Sequence, residues 1–442
     1  MYSFKRILGV SHPIFFGLLA QNIINVTDTA FMGRVGEVEL GASVMGGLFY
    51  ICIFTVLFGF STGSQILIAR RNGEGKLGLT GQIMIQGTLF LLLLALGACL
   101  LTWVFGRGAM RFIVSSDAVF VAASEFLMIR VWGLFFSSFN VMFRAFYVGV
   151  THTGVLTSGS LVMAVVNIFF DYSLIFGHFG MPAMGLAGAA VASVIAEGVT
   201  TVFYFFYTRM KVRMKVYGLD HVAIDDFRGL RKILSISSFT MLQYFFSNLT
   251  YFFFFIAVEH LGQVPLAAAN IVRSIYVVIL IPIQAYATAA NSLVSNLIGE
   301  GGRRYVVRLL RRITFMSFVT VAGICLIVGL MPRLVLGIYT ANPVIIEGGV
   351  RALYAVLLSS VLSAVSMIYF SGISGTGDTR AALFVETGCS VFYVLWIVVS
   401  AMVMHASVAV CFGCEAVYYF LVLVCSVWYL RRKQSKVFLG CG

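Results

Sequence analysis

The sequence predicts an all-α integral membrane protein with twelve transmembrane helices arranged as two pseudo-symmetric six-helix lobes. Three observations lead to this fold class: an apolar composition, a polar stretch at the midpoint, and a repeat between the two halves. Of the 442 residues, 60% are hydrophobic and only 11% are charged, whereas an average soluble domain carries about 25% charged residues. With a mean hydropathy of +0.99, this composition excludes cytosolic enzymes, nucleic-acid-binding domains and secreted disulfide-rich scaffolds.

Twelve apolar runs are long enough to cross a membrane as helices. A spanning helix needs about 20 mostly apolar residues, and charged or turn residues mark the ends of each run. An even number of spans places both termini on the same side of the membrane. The predicted spans are 12–32, 43–69, 81–105, 119–147, 155–177, 185–208, 234–258, 265–297, 306–330, 344–374, 381–403 and 407–430.

The basic residues predict the orientation of these spans, because cytoplasmic loops are enriched in Lys and Arg. Of the 30 Lys and Arg residues, 23 fall on the side that holds both termini, and seven lie in the opposite loops or inside spans. We therefore expect a multi-pass protein of the plasma (inner) membrane with both termini in the cytoplasm. The net charge of +13 then requires no nucleic-acid partner.

The longest polar interruption lies at the middle of the chain and predicts the domain organisation. We expect an amino-terminal lobe at 1–208, a cytoplasmic inter-lobe loop at 209–233 and a carboxy-terminal lobe at 234–442. A polar linker at the midpoint of a membrane protein is typical of two related halves.

The two halves do repeat each other in sequence. Residues 72–75 (NGEG) match residues 298–301 (IGEG) at an offset of 226, and residues 149–154 (GVTHTG) match residues 372–377 (GISGTG) at an offset of 223. Two parallel six-helix lobes are typical of secondary transporters. The sequence carries no phosphate-binding loop, HExxH or Gly-x-Ser-x-Gly motif, so we expect a transporter without a cofactor or a firm metal site, not an enzyme.

Polar side chains inside the first span predict the functional site. A carboxylate at bilayer depth costs at least about 2.5 kcal/mol on insertion scales, so it needs a compensating role. Gln21, Asn25 and Asp28 recur at helical spacing and share one face. The alternative to a functional role for this polar stripe is a hydrogen-bonded seam between helices.

Asn167 and Asp171 share a face of the fifth span in the same way. Carboxyl groups of Asp28 and Asp171 on facing helices can share or exchange a proton. Alternatively, Asp28, Asn167 and Asp171 hold a sodium ion, since hard cations prefer oxygen ligands. The alternative for Asp171 is a purely structural role, in which its carboxylate bonds to a neighbouring backbone or hydroxyl group.

The remaining charged residues within spans predict packing more than transport. Glu197 and Glu415 lie at near-equivalent positions of the sixth and twelfth spans, which suits a structural role at least as well as a transport role. For a further set near span ends, snorkelling towards the interface is a sufficient explanation. These residues are Glu125, Arg130, Glu259, Arg273 and Glu386.

Four segments of the chain resemble motifs of the MATE (multidrug and toxic compound extrusion) family. Residues 26–33 (VTDTAFMG) resemble the end of its first helix, and residues 167–177 (NIFFDYSLIFG) resemble its fifth helix. Residues 184–193 (MGLAGAAVAS) are similar to the entry to its sixth helix, and residues 375–379 (GTGDT) resemble the loop after its tenth. The motifs follow the family order, and the resemblance extends over the whole chain.

The resemblance implies a MATE-like fold and cation-coupled export of amphipathic, often cationic, organic compounds by alternating access. It also implies that Asp28 and Asp171 are coupling carboxylates, with Asn167 and the hydroxyl of Ser193 beside them. The NorM-type branch carries acids at positions where this chain has Ser247 and Ser363, so the acids that match family sites lie in the amino-terminal lobe, as in the DinF-type branch. Phe126 replaces a frequent Tyr of the fourth helix.

The aromatic residues of the seventh span predict part of a substrate cavity. Aromatic faces attract organic cations and Met adapts to varied shapes, so we expect Tyr244, Phe245 and Met241 to line it. Proton-coupled antiport by a monomer is the hypothesis that this sequence favours. Sodium-coupled antiport and a flippase for lipid-linked precursors are the alternatives, and the flippase predicts extra helices and several arginines facing the cavity.

Overall fold

The computed structural model describes residues 2–220 and 227–438. Within these two stretches the regular structure is helical and no β-strand is present. Eleven helices of the described chain are long and apolar enough to cross a membrane, and one bent pair of helices raises the number to twelve. The predicted all-α transmembrane fold class is therefore confirmed, and the protein is a multi-pass membrane protein.

The described residues before position 220 form eight α-helices, and each of the first six predicted spans lies on one or two of them. Several helices extend beyond the apolar runs, and α2 and α3 reach 37 residues each. The helices are α1 (Phe4–Val35), α2 (Glu37–Gly73), α3 (Leu77–Ile113), α4 (Asp117–Arg130), α5 (Gly133–Gly149), α6 (Gly154–Phe176), α7 (Leu186–Lys211) and the short α8 (Met214–Tyr217).

The fourth span is not the single helix that the hydropathy of 119–147 predicts. Its direction changes by 52° between α4 and α5. The break lies where Arg130 ends α4 and Gly133 begins α5. A Cβ atom at position 133 would lie 2.2 Å from the Nη1 atom of Arg130, so a larger residue there would displace the guanidinium.

The described residues from 227 onwards form a second helical series that carries the last six predicted spans. The predicted span 407–430 is also divided, at Phe412. The helices are α9 (Phe227–Glu259), α10 (Gln263–Gly299), a 3₁₀ turn (Arg303–Tyr305), α11 (Val306–Leu330), α12 (Pro332–Gly337), α13 (Pro343–Gly375), α14 (Thr379–Ile397) with a π-helical extension (Val398–Val403), α15 (Val408–Cys411) and α16 (Gly413–Phe438).

The chain forms two compact units. One consists of His12–Met241, and the other consists of Leu242–Gly442 together with Met1–Ser11. The core of the first is built around residues such as Phe60 and Leu91, and the core of the second around residues such as Tyr276 and Val356. Part of the predicted inter-lobe loop, 221–226, lies outside the described residues, and the lobe boundaries at 1–208 and 234–442 stay a prediction.

The loops that revealed the repeat confirm one offset and correct the other. Helices α2 and α10 end at Gly73 and Gly299, and glycines with positive φ follow them at 75 and 301, which keeps the offset of 226. Helices α5 and α13 end at Gly149 and Gly375, also 226 apart. The predicted offset of 223 is therefore wrong by three residues, because matching glycine letters outweighed the position of the helix end.

Candidate functional site

The two carboxyl groups singled out by sequence lie side by side in the amino-terminal unit. Asp28 on α1 and Asp171 on α6 are in side-chain contact, and Asn167 contacts Asp171 from one turn earlier on α6. Asp171 is fully buried, Asn167 is 1% exposed and Asp28 is partly buried. The structure therefore brings these three predicted residues together.

The carboxyl pair has few hydrogen-bond donors of its own. Among the residues that the structure describes, no donor meets hydrogen-bond geometry with Oδ1 of Asp28, with either oxygen of Asp171 or with Oδ1 of Asn167. Facing carboxylates repel each other when both are ionised, and buried acceptors without donors are costly. A proton or a cation between the two groups would satisfy these oxygens, so the arrangement is suited to binding one.

The other predicted members of this site lie further from the pair. Gln21 and Asn25 are exposed on α1. Ser193 on α7 is partly buried, and among the described residues no hydrogen bond joins its hydroxyl to Asp28 or Asp171. Of the polar stripe, the partly buried Asp28 is therefore the residue that takes part in this site.

A buried ion pair adjoins the carboxyl pair. Arg130 at the end of α4 donates two hydrogen bonds to Glu197 on α7, from Nη2 to Oε1 at 2.6 Å and from Nη1 to Oε2 at 3.1 Å. The guanidinium also lies 3.9 Å from the ring centre of Tyr50. Arg130 is close enough to Asp28 and Asp171 to interact with their charges, so a positive charge accompanies this acidic site.

A second buried ion pair lies in the carboxy-terminal unit. Nη1 of Arg273 donates to Oε1 of Glu415 at 2.6 Å, and the hydroxyls of Tyr393 and Tyr276 donate to Glu415 at 3.1 and 3.2 Å. Five aromatic rings surround the guanidinium at 4.5 to 5.9 Å, those of Tyr251, Phe254, Phe255, Tyr276 and Phe412.

The two ion pairs and the burial of Glu386 correct three predictions. Glu125 and Glu259 are exposed, and snorkelling stays a prediction for them, but it is wrong for Arg130, Arg273 and Glu386. Arg273 and Glu386 are 5% and 3% exposed, and the side chain of Arg130 is 13% exposed. All three lie near the end of an apolar run, and that location in the sequence carries no information about partners on other helices.

Two tyrosines belong to these networks and are not among the residues predicted from sequence. Tyr50 donates a long hydrogen bond of 3.4 Å to Glu197, and Tyr276 donates one to Glu415. The two tyrosines lie 226 positions apart, the offset of the repeat. That offset, applied to aromatic residues as well as to loops, would have predicted them.

The residues predicted to line a cavity take different environments. Phe245 is 43% exposed, Tyr244 is partly buried, and Met241 packs against the hydrophobic core of the amino-terminal unit. Among the described residues, no group of three or more His, Cys, Asp or Glu side chains is placed to hold a metal ion. Arg130 and Arg273, the arginines that a flippase would need facing its cavity, are both engaged by glutamates.

Comparison with known proteins gives a consistent family. The family model MatE matches residues 13–173 and 240–402. Proteins named probable multidrug resistance protein NorM are similar: that of Synechocystis is 24% identical over 87% of this chain and 84% of its own length. That of Agrobacterium fabrum is 29% identical over 49% of this chain. The chain spans about half the length of the first curated relatives it matches, 46% and 41%.

Solved structures agree in fold. A MATE protein crystallised in complex with MaL6 superposes with a TM-score of 0.90 at 18% identity, over 98% of this chain and 96% of that chain. A MOP superfamily transporter from Pyrococcus furiosus superposes with a TM-score of 0.86, also at 18% identity and with the same coverage.

Proposed function

The chain belongs to the MatE family, the multidrug and toxic compound extrusion transporters, and we propose that it exports amphipathic organic cations in exchange for protons. The family consists of transporters, not enzymes. The observation that carries the proposal is the contact between Asp28 and Asp171, two carboxyl groups with unpartnered oxygens. One proton held between them removes their repulsion, so occupancy of the pair responds to a pH gradient.

Coupling follows from the two helices that carry the pair. When a proton enters from outside, the negative charge at the pair falls and the attraction of Arg130 for it weakens. Helix α1 then changes its packing against α6 around Asp28 and Asp171, and the protein releases its substrate. Loss of the proton to the cytoplasm restores the charged pair, which favours renewed binding of a cationic substrate.

A sodium-coupled exporter is the second candidate. It is favoured by Oδ1 of Asn167, a buried amide oxygen without a donor beside Asp171. Asp28, Asn167 and Asp171 together offer the hard oxygen ligands that sodium prefers.

The remaining features of the proposal follow from the sequence. The basic loops favour an inner-membrane protein with cytoplasmic termini, and we expect it to work as a monomer. We propose Tyr244, Phe245 and Met241 as cavity residues and Ser193 as a supporting hydroxyl. The serines at 247 and 363 favour the DinF-type pattern of acids, although the curated relatives carry the NorM name.

Transport of ethidium into everted vesicles tests the coupling ion. We expect a pH gradient at fixed sodium to drive uptake by the wild type, and Asp28→Asn and Asp171→Asn to reduce it to the level of vesicles without the protein. Glu125→Gln, which neutralises an exposed acid of the same unit, should transport normally. Unimpaired pH-driven export by Asp28→Asn would overturn the proposal, and uptake driven only by a sodium gradient would establish the second candidate instead.

A further inference from the structure

Glu386 on α14 is a buried carboxylate that the coupling scheme above does not use. It is 3% exposed, comparable to the 8% of Glu197 and the 5% of Glu415. Each of those two glutamates has an arginine partner. In the part of the chain that the structure describes, no Lys, Arg or His reaches Glu386, so this carboxylate differs in having no countercharge.

Two hydroxyl groups hold the carboxylate of Glu386. The Oγ atom of Ser247 on α9 donates to its Oε1 at 2.5 Å, and the hydroxyl of Tyr418 on α16 donates to the same oxygen at 2.8 Å. Three helices of the carboxy-terminal unit therefore meet at one oxygen atom. Hydroxyl donors stabilise the ionised carboxylate, but they do not offset the cost of burying an unpaired charge, which runs to several kcal/mol.

Glu386 is buried, yet it lies one hydrogen bond from an exposed group. Ser247 is exposed, so its hydroxyl joins the buried carboxylate to the surface of the unit. Polar atoms without partners lie one turn away on both helices: Oε1 of Gln243 on α9 and Oγ of Ser390 on α14. The hydroxyl of Ser247, with the unpartnered oxygen atoms of Gln243 and Ser390 one turn away, provides a route by which a proton can reach and leave Glu386.

Few other titratable groups influence this carboxylate. Tyr418 and Tyr419 on α16 and Cys389 on α14 interact with its charge. Helix α13 also packs against α14, and among the described contacts it contributes no charged partner. The neighbours are groups that stay neutral near neutral pH, so Glu386 is the member of this cluster that changes charge.

We propose that Glu386 is a second proton-exchanging group, located in the carboxy-terminal unit, with Ser247 as its relay and Tyr418 as its positioning partner. The inference rests on the proposed proton-coupled export and deepens it. The Asp28–Asp171 pair and Glu386 each take up a proton in one state of the transport cycle and release it in the other. The protein then exchanges two protons for each substrate molecule, one through each unit.

The stoichiometry of exchange tests this inference. Purified full-length protein in liposomes is assayed with ethidium, and the proton-to-ethidium ratio is obtained from the pH gradient that balances a known ethidium gradient. We expect Glu386→Gln, which keeps the size of the side chain and removes its charge, to exchange one proton fewer than the wild type while still transporting. Glu347→Gln, the same change at an exposed acid of the same unit, should leave the ratio unchanged.

Two other outcomes contradict either the inference about Glu386 or the proposed function. An unchanged ratio in Glu386→Gln overturns the inference. Wild-type transport that does not depend on the pH gradient would instead contradict the proposed proton-coupled export. Failure of the inference and failure of the proposed function are therefore distinguishable.

Infrared spectroscopy of folded wild-type protein covers the case in which Glu386→Gln does not fold. A protonated carboxyl C=O band that appears on acidification and shifts in Tyr418→Phe supports the assignment to Glu386. A band that Tyr418→Phe leaves in place contradicts it.

Discussion

Arg130 and Arg273 are balanced by glutamates at related positions but approach them from unrelated helices. Glu197 and Glu415 occupy the sixth and twelfth spans, and each accepts a hydrogen bond from a tyrosine of the repeat. Arg130 comes from α4, whereas Arg273 comes from α10. What each buried carboxylate requires is a positive charge within hydrogen-bonding reach, and either helix can supply it.

Asp378 offers a residue-scale test in the loop between α13 and α14, outside the spans. Its carboxylate caps α14 by accepting from the N–H of Ala381 at 3.2 Å, pairs with Lys433 at 3.0 Å and accepts from the hydroxyl of Tyr429. Burial alone would raise the pKa of Asp378, but the hydrogen bonds from Tyr429, Lys433 and Ala381 together lower that pKa below its ordinary value of 3.8.

We expect Asp378→Ala to destabilise the protein by about 1 kcal/mol, the usual value of a lost helix cap. Asp378→Asn keeps a capping oxygen and loses the charge, so it should cost less. Because the folded pKa is lowered, the charge stabilises the protein above about pH 4, and this advantage is lost as the pH falls further. Thermal unfolding in detergent at pH 7 and pH 3 measures it, and a difference between wild type and Asp378→Asn that grows in acid would contradict the assignment.

At the scale of elements, the break in the fourth span lies beside the Arg130–Glu197 pair. Arg130 is the last residue of α4, and the chain changes direction by 52° before α5 continues the span. Gly133 makes room, because a Cβ atom there would lie 2.2 Å from Nη1 of Arg130 and 2.4 Å from Oε2 of Glu197.

Gly133→Ala is therefore expected to destabilise the protein by about 1–3 kcal/mol through overpacking, despite the higher helix propensity of alanine. The matched control is Gly97→Ala on α3, where a Cβ atom meets nothing within 4 Å; it should be neutral or slightly stabilising. Thermal unfolding of the two variants in the same detergent measures the difference. Equal melting temperatures for both would show that the ion pair does not need this close approach.

The sequence predicts the elements of this fold better than their contacts. Hydropathy locates the spans because a bilayer crossing demands a long apolar run, and helical spacing brings Asn167 beside Asp171. The partner of Arg130 is 67 residues away and the partner of Arg273 is 142 residues away, and no local pattern encodes such pairings. The prediction of snorkelling for Glu386 is wrong for the same reason, since its partners come from two other helices.

At the scale of the whole molecule, the carboxy-terminal unit is assembled from two separate parts of the chain. Residues up to Ser11 belong to it, although α1 continues into the other unit. The hydroxyl of Tyr2 donates to Oε1 of Glu300 at 2.7 Å, and Arg312 donates to the carbonyl of Tyr2 at 3.0 Å. The start of the chain is thus bound to the loop after α10 and to α11.

Tyr2→Phe removes the hydrogen bond to Glu300 and should destabilise the carboxy-terminal unit by about 1 kcal/mol or more, because the bond involves a charged acceptor. Amide hydrogen exchange should rise around 300–312 and stay unchanged in α6. Tyr339→Phe, at a residue 48% exposed in the same unit, is the control. Unchanged protection around Glu300 in Tyr2→Phe would show that this contact adds nothing to the unit.

The division of α1 between the units has a consequence for biosynthesis. Residues 2–11 leave the ribosome well before 242–442 are translated, although both belong to the same unit. Ile7 is fully buried in the finished protein, so this segment is part of the packed structure. The amino-terminal unit can fold while translation continues, but the carboxy-terminal unit becomes complete only after the helices from α9 onwards have been synthesised and residues 2–11 have been recruited to them.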